Sequence, residues 1–166
     1  LAYGRDLERE INEIRLADKR ALTVPCDEKG LHRIENTREI LFSALPFIRD
    51  NVEIACANRM DCLDTPAFWN DFAKAVNNAD VFCPIIRPDI HGKTEASVVD
   101  FPDETQPGSY AIYDVPYSSP CVIAESMAHE VSHLASGEVH SDGVEDDWIY
   151  LIGEEARKQC WASFRE

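Results

Sequence analysis

The chain has 166 residues, enough for one domain around one core, and no apolar run in it is long enough to span a bilayer. Acidic residues outnumber basic ones 31 to 16, for a formal charge of −15. That balance lacks the cationic footprint that nucleic acid and anionic membranes require, and it suits cationic protein partners drawn in by the field.

The chain opens on Leu1, with no initiator methionine and no visible signal peptide, and reads as a mature or trimmed product. A charged helix is predicted over 6–21, with Leu7, Ile11 and Ile14 on one face. A second helix is predicted over 34–50 from Ile34, Leu41, Leu45 and Ile48, with Pro46 expected to bend or shorten it. A third starts after Thr65-Pro66 and buries Phe68, Trp69, Phe72 and Val76. Strands are expected at 52–57, 81–86, 97–101 and 110–115, the last two forming a hairpin across the turn at 102–108.

A fourth helix should run from Pro120 to Ser136. Ser119 offers an N-cap hydroxyl, Pro120 fits the first helical position, and Gly137 is a C-terminal stop. Val122, Ile123, Met127, Val131 and Leu134 form its apolar stripe. A final helix over about 147–164 turns Ile149, Ile152, Ala156 and Cys160 inward. Helices, a small sheet, then two more helices make an α+β fold, mainly helical.

The six cysteines, at 26, 56, 62, 83, 121 and 160, include no C-x-x-C pair. That favours three disulfides, and so an oxidising, extracellular compartment, over a cysteine-held metal.

The fourth helix carries His129-Glu130-Val131-Ser132-His133, an H-E-x-x-H pentapeptide. Histidines four apart share one helical face and can hold one Zn²⁺ as ligands, while the adjacent glutamate serves as general base. A catalytic zinc needs a third protein ligand. His140 follows His133 with Gly137 between, one residue late for H-E-x-x-H-x-x-G-x-x-H, and no methionine lies beyond the motif. Glu154 or Glu155 would serve from the last helix, as in gluzincins; the alternative for this pair is a solvated helical face, with Arg157 and Lys158 nearby for exposed ion pairs. The third candidate is an aspartate, Asp147, or Asp146 beside it.

Asp147-Trp148-Ile149-Tyr150 resembles the D-x-x-Y centre of the aspzincin signature G-T-x-D-x-x-Y-G, found in deuterolysins and peptidyl-Lys metalloendopeptidases. Gly143 is present, but Val144 replaces the threonine, Asp146 is an extra residue, and Leu151 stands at the second glycine. Counted strictly, Asp146 would be the ligand. The D-x-x-Y spacing favours Asp147, because the two side chains must share a helical face.

The resemblance implies a single zincin-like catalytic domain over 1–166, secreted and monomeric. It implies one catalytic zinc held by His129, His133 and Asp147, Glu130 as general base, and Tyr150 as hydroxyl donor. It also implies the cysteine pairing Cys26–Cys56, Cys62–Cys83 and Cys121–Cys160. The expected activity is peptide-bond hydrolysis, with basic, Lys/Arg-rich proteins favoured and substrate lying along strand 110–115. The alternative is a secreted interaction protein on the same fold, with little or no proteolysis.

Overall fold

A computed structural model describes residues 21–85, 96–138 and 148–164. The helix expected over 6–21 falls almost wholly outside them, as do His140, Asp146 and Asp147. The described chain is α+β, with four α-helices and a three-stranded sheet.

Helix α1 (Glu28–Cys56) starts at Asp27, whose carboxylate accepts from the Gly30 N–H at 2.7 Å. It runs six residues further at each end than the sequence suggests. Ile34, Leu41, Ala44, Ile48, Val52 and Cys56 form one continuous buried stripe at helical spacing. The strand expected at 52–57 is therefore the last turns of this helix, since packing along the stripe outweighs the local β-preference. Pro46 does not end the helix. It lies on the exposed side, where water can take up the carbonyl that proline leaves without its usual donor.

Helix α2 (Pro66–Asn78) begins as expected, with the Thr65 hydroxyl accepting from Phe68 N–H at 3.2 Å. Its Phe68, Trp69, Phe72 and Val76 are all buried. Strands β1 (Asp80–Phe82), β2 (Ala96–Asp100) and β3 (Ser109–Ile112) follow. They lie in the order β1-β3-β2, with β1 parallel and β2 antiparallel to β3, so the expected hairpin forms.

Alternation divides the sheet. Tyr110 and Ile112 join the core shared by all four helices, with Val81, Ala96 and Val98 packed beside them. Ala111 and Tyr113 face the other way and meet Leu22, Phe82 and Val99.

A short 3₁₀ turn (Val115–Tyr117) leads to helix α3 (Pro120–Ser136). Ser119 occupies the N-cap position, but its hydroxyl makes no capping hydrogen bond, contrary to expectation. Gly137 ends α3 at φ 72°, a left-handed conformation that glycine adopts freely. Helix α4 (Trp148–Ser163) buries Ile149, Ile152, Ala156 and Cys160, as its periodicity predicts. No described helix is long and apolar enough to cross a membrane.

All six cysteines are paired, but only one pair follows the family-like expectation. Cys121–Cys160 joins α3 to α4. The other two are Cys26–Cys83 and Cys56–Cys62, in place of Cys26–Cys56 and Cys62–Cys83. The cause is local. Pro25 bridges to Phe82 and Cys83 N–H donates to Val24 carbonyl at 2.8 Å, which sets Cys26 beside Cys83 with their Cα atoms 4.7 Å apart. Cys56 is the last residue of α1, and the turn after it returns Cys62 to the helix end.

Candidate metal centre

The two motif histidines lie one helical turn apart, in the last two turns of α3. Their Nε2 atoms are 3.3 Å apart, and the rings meet edge to face with centroids at 5.0 Å. Two nitrogens bound to one tetrahedral zinc at about 2.0–2.1 Å stand about 3.3–3.4 Å apart, so the observed separation fits. When no metal is bound, the same separation serves a proton shared between the rings.

His133 is held from behind. Its Nδ1 is 2.6 Å from the Glu138 carbonyl, which only accepts, so Nδ1 carries the proton. In the neutral ring Nε2 is then the lone-pair nitrogen, directed at His129. A backbone carbonyl fixing the tautomer of a ligating histidine is a common feature of metal sites. Glu138 reaches this position because Gly137 reverses the chain at the end of α3. In the sequence, Gly137 signals the reversal, but nothing marks Glu138 as the acceptor.

His133 and Glu130 are buried, while His129 is half-buried. Glu130 lies within electrostatic reach of Tyr110 on β3, and so toward the sheet. The Tyr110 phenol is completely buried beside the Arg38 side chain, and burial above all raises its pKa. The Arg38 charge opposes that shift and the Glu130 carboxylate reinforces it.

Tyr150, on the first turn of α4, joins the histidines. Its ring lies 4.7 Å from that of His129. Helices α3 and α4 run antiparallel, as the paired positions show. Tyr150 meets His129, Arg157 donates to Glu125 at 3.2 Å, and Cys160 bonds to Cys121. The start of α4 therefore lies at the histidine end of α3. Trp148 anchors that start by an edge-to-face contact with Phe68 of α2, at 4.8 Å between centroids. Trp148 has no reacting group, so its place beside the site is not evident from the sequence.

Glu154 and Glu155 do not join the histidines. Glu154 is exposed, and Glu155 accepts from Asn51 at 3.2 Å and lies 3.5 Å from Lys158. Among the described residues, no three His, Cys, Asp or Glu side chains are grouped to hold a metal.

The strand expected to receive a peptide, 110–115, cannot do so along its length. β3 is central, with β1 on one side and β2 on the other. Tyr113 and Asp114 lie beyond it, and Val115 begins the 3₁₀ turn. Among the described residues, β2 is the outer strand that packs against α3. No family model, curated protein or solved structure matches the chain.

Proposed function

We propose that the protein is a secreted zinc metalloendopeptidase of aspzincin type, with His129, His133 and Asp147 as metal ligands. The observation that carries this reading is the 3.3 Å approach of two Nε2 atoms, one from a histidine whose tautomer a backbone carbonyl has selected. The α3–α4 pairing supports Asp147, which immediately precedes the helix start that lies at the histidine end of α3. The three disulfides suit an extracellular setting.

When bound, zinc would polarise the scissile carbonyl and acidify a water molecule. Glu130 takes the proton from the attacking water on its carboxylate and returns it to the leaving amine. The Tyr150 hydroxyl donates to the oxyanion. Its ring is partly exposed to solvent, where a substrate can reach it. Substrate pairs along β2, the outer strand beside α3, and adds main-chain hydrogen bonds there. The net charge of −15 draws basic segments in and favours Lys/Arg-rich proteins.

The test is zinc content together with cleavage of casein and histone, for wild type and Glu130→Gln. One zinc per chain in both, with hydrolysis reduced about 10²–10⁴-fold in Glu130→Gln, is the expected result. Absence of zinc from the wild type overturns the reading. Zinc in both without cleavage in either would leave an interaction protein on the same scaffold.

A further inference from the structure

We propose that Gly153 is a positioning residue for the metal centre, because its missing side chain sets how closely α4 approaches α3 at His129. The proposal rests on the zinc reading above. Gly153 is buried in the middle of α4, where glycine is the poorest helix former after proline. Its position accounts for it. A Cβ built there would stand 3.3 Å from the Glu125 carbonyl oxygen, 3.4 Å from Glu125 Cγ and 3.7 Å from His129 Cβ. The nearest atom belongs to the α3 backbone, so rotating a side chain does not relieve the contact.

Tyr150, Gly153 and Arg157 lie at helical spacing on the α4 face that meets Glu125 and His129. The helix is fastened on both sides of this contact. Trp148 is packed on Phe68 at one end, and Cys160 is bonded to Cys121 at the other. Sliding α4 along α3 to absorb a methyl at 153 would strain the Cys121–Cys160 bond and the packing of Trp148 on α2. The helices instead separate where Gly153 meets Glu125, one turn from the contact of Tyr150 with His129. The neighbour must give by a few tenths of an ångström. The Tyr150 ring packs 4.7 Å from the His129 ring, so the shift re-aims this imidazole. Metal–ligand distances tolerate only about 0.2 Å, and the change is felt as lost affinity.

The experiment compares wild type, Gly153→Ala and Gly153→Val, with Lys158→Ala on the exposed side of α4 as control. Zinc dissociation constants come from chelator competition, and metal-free unfolding midpoints from thermal melts. Gly153→Ala is expected to raise the zinc dissociation constant about tenfold, the usual scale for groups that orient metal ligands. Its metal-free midpoint should change little, because the better helix propensity of alanine offsets the close contact with α3. The absorption bands of the cobalt-loaded protein should shift in Gly153→Ala and stay unchanged in Lys158→Ala.

A zinc dissociation constant within twofold of wild type in Gly153→Ala overturns the proposal, whether or not Gly153→Val folds. So does an affinity loss that only tracks a lowered metal-free midpoint, which would mark a merely structural glycine. Absence of zinc from the wild type overturns the zinc reading itself, and this proposal with it.

Discussion

Replacing Cys121 and Cys160 together by alanine opens the loop of 39 residues that ties α3 to α4. Closing a loop of that length removes unfolded-chain entropy equivalent to about 4 kcal/mol at 25 °C. The Cys56–Cys62 disulfide spans only 6 residues, and the same relation assigns it about 2 kcal/mol. Cys26–Cys83, with a separation of 57, belongs with the larger value, at about 4 kcal/mol. Packing widens the gap, because Cys121 and Cys160 are both buried whereas Cys62 is only half-buried. For a chain of this size, each kcal/mol moves the melting temperature by about 2–4 °C. The Cys121/Cys160 variant should therefore melt about 8–16 °C below wild type, and the Cys56/Cys62 variant about 4–8 °C below it. Calorimetry on both double variants and the wild type tests the ranking, and peptide mapping without reduction tests the pairing. A Cys56/Cys62 variant that melts as low as the Cys121/Cys160 variant would refute the reasoning. So would a map showing Cys26 joined to Cys56.

Phe72 is fully buried, so Phe72→Ala should cost about 3–5 kcal/mol in urea unfolding. Phe47 is 60 % exposed, and Phe47→Ala should change stability by no more than about 0.5 kcal/mol; equal losses would contradict the assignment of the core. The raised pKa of Tyr110 has a definite sign. Its folded-state pKa exceeds the unfolded value of about 10, so its contribution is complete below about pH 10 and is lost as pH rises beyond it. Tyr110→Phe keeps the ring and removes that dependence, so its unfolding free energy should fall less than wild type's between about pH 8 and about pH 11. Parallel losses in the two proteins would show that the buried phenol is not responsible.

Local signals in the chain anticipated much of this architecture. Thr65-Pro66 and Pro120 mark helix starts, Gly137 marks a stop, and the inward residues of α3 and α4 recur every three or four positions. The His129–His133 pair follows from helical geometry alone, because residues four apart share a face whatever surrounds them. Residues 52–57 suggest a strand because a short run of apolar and β-branched residues satisfies two periodicities. Val52 and Cys56 belong to a helix because they continue the buried stripe of α1 into the core that the helices share.

Features that join distant segments depend on how the elements pack. Cysteine spacing cannot show that Cys26 lies beside Cys83, because a bridge between two backbone segments brings them together. The order β1-β3-β2 makes the most buried strand central and leaves β2 outermost beside α3, a choice that alternation within a single strand does not encode. Glu138, Trp148 and Gly153 have the same origin. One offers a carbonyl, one an apolar ring and one no side chain, and each gains its place at the site from the segment it meets after folding.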